Sequence, residues 1–313
     1  MQLSCLYTGT SEPSWISRTT APLFIPYHRL MRRWGGKLPR SPWKGHWALD
    51  SGGYWHVRAN GGWALSEETY VKHVRVFDRE IRNMGWAAPM DWMCEADALA
   101  ATGLSWREHQ RRTVANFVNL TRIWQRDTDD PSPFMPVLQM DPDAPEAEMI
   151  RGYLECWDMY GEAGVDVGEQ PLIGLGSICR QQATAKIGAL VAALHEHDGR
   201  DDSVEPLPLH GFGCKALGLT RYANLMTSAD SQAWSKFARH NNFKWPGCPE
   251  SHSDCRNCFY WAMAWRYGLL NKVGMFDHWF SSRSFEPEWL NAFFLEGDVE
   301  AARTPESVVA EWR

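Results

Sequence analysis

Short apolar runs recur along the chain at about residues 3–8, 22–26, 46–50, 86–91, 134–139, 171–176, 207–212 and 224–229. Runs of this length with little alternation are how strands of a parallel sheet read when both faces are covered. Helical periodicity lies between many of them. After Ser66 the apolar positions Tyr70, Val71, Val74, Phe77 and Ile81 fall on one face, at three- and four-residue steps. Ser105 and Glu108 form a capping-box pattern ahead of a helix that carries Val114, Phe117, Val118 and Ile123. Further helices are predicted at about 145–163, 183–197, 231–240 and 256–273. Alternation of about eight strands with helices predicts an α/β protein of the (β/α)8, TIM-type barrel class. An open doubly wound sheet is the competing architecture, but no GxGxxG follows a strand, which disfavours dinucleotide binding. Residues 128–133 and 197–208 are polar and read as surface loops.

Four of the apolar runs end on a polar residue that suits chemistry: Asp50 in HWALDSGG, Asp91 in WAAPMDWMCE, Gln139 in FMPVLQ and Asp230 in NLMTSADS. Barrel enzymes carry their catalytic groups at strand C-terminal ends. Buried carboxylates need partners, so three converging on one site point to catalysis. Each residue also has a plainer reading. Asp230 or Ser231 could cap the next helix, Asp50 could make a turn ahead of Gly52 and Gly53, and Gln139 could be a satisfied core amide.

With 313 residues, the chain can bury one large core or split into two ordinary domains. It has no run of about 18 apolar residues, so no transmembrane helix is expected. Its N-terminal segment lacks the basic-then-apolar signal-peptide pattern, so a soluble cytoplasmic protein is expected. Among the eight cysteines, Cys5, Cys94, Cys156, Cys179 and Cys214 are scattered singly through apolar segments, as free buried thiols are.

The remaining three cysteines cluster in GCPESHSDCRNC, which sets Cys248, His252, Cys255 and Cys258 within eleven positions. A Cys-x-x-Cys knuckle lets two thiolates reach one tetrahedral ion; a third thiolate and an imidazole complete a closed, structural zinc shell. His278 is the alternative fourth ligand. The net charge of −6 does not advertise a nucleic-acid binder. One stretch runs against it, with Arg29, Arg32, Arg33, Lys37 and Arg40, Trp34 among them and Trp43 and Lys44 following. Cations interleaved with aromatics suit phosphate contact and base stacking, although a solvated loop looks the same by charge alone.

Several motifs resemble a known family. LDSGGYW at 49–55 resembles the DSGGFQ signature of queuine-type tRNA-guanine transglycosylases, and PVLQ at 136–139 their base-contacting glutamine segment. The chain is still more similar to their DNA-acting relatives, the 7-deazaguanine DNA transglycosylases of the DpdA family. That resemblance is carried by WAAPMDWMCE (86–95), TGLSWREHQRRT (102–113), IGLGSICRQQ (173–182), LHGFGCK (209–215), SADSQAWSKFAR (228–239) and CPESHSDCRNC (248–258). Asp91 is followed by Trp92 and Met93 where the tRNA enzymes usually have Glu-Cys, and the cysteine spacing also differs from theirs. Both departures favour the DNA-acting branch.

The resemblance implies a barrel over residues 1–241 with a zinc-binding and helical segment over 242–313. It implies exchange of guanine in duplex or locally opened DNA for a 7-deazaguanine base such as preQ0. Asp230 would be the covalent nucleophile and Asp50 the proton-transfer group. Asp91 would accept hydrogen bonds from the base edge, with Glu95 or Asp97 as alternatives. Gln139 would donate to O6, and the segment Gly174 to Gly176 would add backbone amides. Tyr54 and Trp55 could stack on the base, whereas Trp92, Cys94 and Cys179 read as packing residues. Two rival enzymatic readings are a tRNA-guanine transglycosylase and a zinc-dependent barrel hydrolase. A catalytically dead nucleic-acid-binding module is argued against by the three retained carboxylates.

Overall fold

The structure is a computed structural model that describes residues 3–178, 184–200 and 205–274. The apolar runs form β1 (Cys5–Gly9), β2 (Leu23–Pro26), β3 (Trp47–Asp50), β4 (Met84–Ala87), β5 (Val137–Leu138), β6 (Ile173–Leu175), β7 (Leu209–Gly211) and β8 (Ser228–Ser231). All pair in parallel in one curled sheet of order β4-β3-β2-β1-β8-β7-β6-β5. Each strand therefore neighbours its sequence neighbour, and β1 joins β8. Between β4 and β5 the ladder shrinks to one bridge, Ala87 with Phe134, where the Ala87 N–H donates to Pro133 O at 2.8 Å. The all-round strand ladder of a fully closed barrel is thus not formed at this seam.

The helices are α1 (Tyr27–Met31), α2 (Gly53–Asn60), α3 (Glu67–Ile81), α4 (Ala96–Thr102), α5 (Trp106–Asp127), α6 (Glu146–Glu162), α7 (Thr184–His197), α8 (Ala216–Tyr222), α9 (Ala233–His240) and α10 (Phe259–Lys272). On α3, Tyr70, Val71, Val74, Phe77 and Ile81 are all buried, as the periodicity requires. Ser66 caps this helix by accepting from the Thr69 N–H at 3.3 Å. Such a cap is worth about 1 kcal/mol. Ser105 caps α5 in the same way, but the Glu108 side chain turns to Arg112 at 2.9 Å instead of reaching back to complete the box. The short helices α1, α2, α4 and α8, of five to eight residues, escape the sequence reading.

Alternation along the strands sorts the core into two layers. Leu6 and Ile25 face the helices, in the large cluster that also holds Trp234, Trp261 and Trp265. Tyr7, Phe24, Ala48, Trp86 and Met135 face inward and pack with Phe212 in a smaller, mostly aromatic cluster. Among the described residues, no helix is long and apolar enough to cross a membrane.

Candidate active site

Asp50 is the last residue of β3, and its Oδ1 accepts the Gly52 N–H at 2.8 Å. The expected turn is thus present, and it aims the carboxyl outward from the strand end. Gly52 has φ 73°, in the left-handed region that favours glycine. Gly53 is needed for another reason: a Cβ there would come within 2.9 Å of Met93 Cε and 3.1 Å of Asp91 O. The two glycines let the β3 end lie against the Asp91 loop. Ser51 completes the contact by donating its hydroxyl to Asp91 Oδ1 at 2.9 Å.

The strand containing Met84 ends at Ala87, so Asp91 stands four residues beyond β4, on the loop and not at the strand end itself. Asp230 lies within β8 and is buried. It is not a helix cap, because α9 begins at Ala233 after Gln232. Its Oδ1 accepts the Gly213 N–H at 2.8 Å and faces His210 Nε2 at 3.6 Å.

Asp50 feels the charge of Asp230, and Asp91 feels that of Asp50. Burial pushes Asp50 up to about 6, with the Asp230 charge adding to the rise. Burial pushes Asp91 up to about 7, with Asp50 and Glu95 adding to it and the Ser51 hydroxyl opposing. Groups titrating near neutrality are suited to taking and returning protons. Of the alternatives to Asp91, Asp97 is engaged elsewhere. It accepts the Tyr54 hydroxyl at 2.6 Å and lies 3.7 Å from Arg58. Glu95 is buried at the start of α4.

Two expected base contacts are not set up to form. Gln139 follows β5, but its Nε2 donates inward to Trp92 O at 2.7 Å and Thr113 Oγ1 at 2.8 Å. Both amide hydrogens are used, so Gln139 is not poised to donate to a base. Its Oε1 is buried without a hydrogen-bond donor. The Gly174 and Gly176 N–H groups donate to Pro136 O and Leu138 O, each at 2.8 Å, in the sheet ladder. They are likewise not free to bind a ligand.

The basic stretch leaves β2 at one end of the sheet and must reach the other to begin the parallel strand β3. His28 lies beside the Asp50 turn, since a Cβ on Gly52 would stand 3.4 Å from its Nδ1. Burial, with the charges of Arg29 and Arg32, pushes His28 down to about 4. Arg40 and Trp43 belong to the far end, where Asn83, just before β4, donates to Pro42 O and Trp43 O. Arg33 and Lys37 are exposed between the two ends. Trp55 is 54 % exposed on α2 and stacks on His28, while Tyr54 is 45 % exposed. Trp92 and Cys94 are buried packing residues, as expected. Cys179 lies outside the described residues.

Cys248, His252, Cys255 and Cys258 converge, with their ligand atoms within 4.8 Å of one another. The Cys255 thiol accepts the Trp245 N–H at 3.2 Å and the Cys258 thiol the Trp261 N–H at 3.4 Å. Glu250 lies 3.0 Å from His252 Nδ1, which leaves Nε2 toward the sulfurs. A carboxylate behind a ligating imidazole is the usual way its tautomer and angle are fixed. The group could hold a metal ion, and three thiolates with one imidazole suit zinc. His278 lies outside the described residues.

Sequence reasoning assigned no role to His210, although it lies in the LHGFGCK segment (209–215). Its polar partners, Ser228 and Asp230, lie on β8 and are remote in sequence, so no spacing reveals it. A search among curated proteins finds no match to the chain. The family model described as DpdA, DeoxyPurine in DNA protein A, matches residues 1–309. The match takes in both the strand-end carboxylates and the cysteine cluster, and the chain belongs to the DpdA family.

Proposed function

We propose that this protein exchanges guanine in DNA for a 7-deazaguanine base such as preQ0, through a covalent aspartyl-deoxyribose intermediate. The observation that carries this reading is the meeting of three carboxyl groups, with two of them titrating near neutrality, at one end of the sheet in a DpdA-family chain. Base exchange needs a nucleophile at the sugar carbon and a separate proton carrier for the base.

Asp230 fits the first role, because its carboxylate is held through one oxygen. Attack on C1′ forms a carbon–oxygen bond and breaks the bond to guanine N9, whose electron pair leaves with the base. Asp50, raised to about 6 and so carrying a proton in a minority of molecules near neutral pH, gives that proton to the departing guanine. The resulting carboxylate takes a proton from N9 of the incoming deazaguanine, which attacks C1′ and releases Asp230. No water is consumed and no net proton is lost. Asp91 as carboxylate accepts the paired N–H donors of the base edge, and Ser51 keeps it oriented. Gln139 acts through Trp92 and Thr113, fixing the wall that carries Asp91.

The target nucleotide leaves the duplex or is met already unpaired. Arg29 and Arg32 lie on the site's side of the molecule to meet its phosphates, with Arg33, Lys37 and Arg40 extending away. On this reading the sheet closes as a barrel over residues 1–241. The segment 242–313 is a zinc-binding subdomain whose ion is structural. The closed set of four ligands leaves no position for substrate and argues against a zinc hydrolase.

The test is to incubate the purified protein with duplex DNA, single-stranded DNA or tRNA carrying labelled guanine, with a panel of 7-deazaguanines. Release of label from DNA only in the presence of a deazaguanine is expected. Asp230→Asn should abolish both release and the protein–DNA adduct while retaining affinity for the free base. Label release from tRNA alone would assign the polymer wrongly, and an adduct mapped to Asp50 or Asp91 would reverse the roles.

A further inference from the structure

His210 is completely buried on the inner face of β7, and the exchange chemistry gives it no part. Strand register puts it there. His210 pairs with Ser228 across the β7–β8 ladder, and Asp230 lies two residues beyond on the same face. Its Nδ1 is 2.8 Å from Ser228 Oγ, and its Nε2 is 3.6 Å from Asp230 Oδ1. The ring is boxed by Trp86 at 4.6 Å, Phe212 at 4.8 Å, Tyr7 at 6.0 Å and Phe24 at 6.3 Å. The titratable groups that face it are Tyr7 from β1 and Asp230 from β8.

An apolar enclosure disfavours the imidazolium, so burial lowers the pKa of His210, with Asp230 only partly opposing. The ring is then neutral and owns a single N–H. Two tautomers are available. With the proton on Nδ1, the Nε2 lone pair would face a carboxylate oxygen and repel it. With the proton on Nε2, the ring donates toward Asp230, and Nδ1 accepts the Ser228 hydroxyl. Electrostatics selects the second tautomer.

We infer that His210 is a positioning residue for Asp230, its neutral Nε2–H acting with the Gly213 N–H to hold Oδ1 and present Oδ2 to the sugar carbon. This rests on the transglycosylase reading for its purpose, although the pairing itself is independent of turnover. Among the described residues none donates a hydrogen bond to Oδ2, which is the geometry a nucleophilic oxygen needs. In the covalent intermediate Oδ2 carries the sugar and Oδ1 becomes the ester carbonyl, still held by the same donors. When the ester breaks, those donors receive the returning negative charge. His210 neither gains nor loses a proton at any step. The 3.6 Å approach is looser than a formed hydrogen bond, as is common for catalytic contacts before substrate is bound.

The experiment has two independent arms. In protein labelled with 15N at histidine, the His210 resonances are assigned by their loss in His210→Phe. The expected spectrum is a neutral ring with the proton on Nε2, and the Nε2 signal should shift in Asp230→Asn. A proton on Nδ1, or signals indifferent to Asp230→Asn, would overturn the pairing. The second arm measures the rate of adduct formation. His210→Phe should slow it on the order of 100-fold, the usual effect of losing one preorganised donor. His210→Gln, which keeps an N–H of similar reach, should recover much of that loss. Neither change should alter affinity for the free base or zinc content. Equal rates in the wild type and both variants would refute the positioning role. Absence of any base exchange by the wild type would count against the transglycosylase reading and leave the NMR arm to judge the pairing.

Discussion

Replacing Asp91 with asparagine should stabilise the free protein, and by an amount that depends on pH. The Asp91 carboxyl is raised from 3.8 to about 7, chiefly because its charge is buried beside Asp50. A folded-state pKa above the unfolded value contributes stability that is fully present below about pH 4 and is lost as pH rises through about 7. Every tenfold change in proton affinity corresponds to about 1.4 kcal/mol. At pH 8 the folded state therefore carries a penalty of about 4 kcal/mol for ionising Asp91, against roughly 2 kcal/mol at pH 5, where the unfolded chain is ionised and the folded one is not. Asparagine has no charge to bury and keeps an Oδ1 that can accept the Ser51 hydroxyl. The expected gain is thus larger at pH 8 than at pH 5 by about 2 kcal/mol. Urea unfolding of zinc-loaded wild type and Asp91→Asn, followed by tryptophan fluorescence at both pH values, measures it. A gain of equal size at pH 5 and pH 8, or an asparagine variant less stable at pH 8, would refute the reasoning.

Two other outcomes follow from the same geometry. Cys255→Ser, or chelation of the wild type, should lower the unfolding temperature and release one zinc ion per chain, since ion binding and local folding are linked; metal analysis before and after melting checks this. Arg29→Ala with Arg32→Ala should weaken DNA binding evenly across sequences and reduce the salt slope by about 2, whereas Arg40→Ala with Lys44→Ala, at the far end of the sheet, should leave the slope unchanged.

The parts of the molecule legible in the sequence are those whose information is local. The four residues that could hold a metal ion fall within eleven positions, so their spacing alone announces the cluster. Asp50 and Asp230 are legible because each stands at the end of an apolar run. The amphipathic helix α3 is long enough for its period to show. What could not be read depends on partners from distant segments. The resemblance has Gln139 donate to the base, yet its amide is spent on Trp92 O and Thr113 Oγ1, as the plainer reading of a satisfied core amide has it, with partners only the folded chain brings near. The amides of Gly174 and Gly176 look free until the neighbouring strand claims them. The basic stretch reads as one patch in one dimension. A parallel crossover carries it along the height of the sheet, from His28 beside the Asp50 turn to Trp43 beside Asn83.

The pairing of β1 with β8 and the contact of Arg266, on α10, with Leu6 O tie the first strand to the last described parts of the chain. Made by a ribosome, β1 (Cys5–Gly9) waits for β8 (Ser228–Ser231) while on the order of 200 residues are added. At about 5–20 residues per second that wait lasts tens of seconds, with one edge of β1 open throughout. An unpaired strand edge is a template for the wrong partner. The nascent protein therefore carries an unpaired edge until β8 has been made, and slowing translation between β1 and β8 should worsen its yield more than slowing it after β8 has paired.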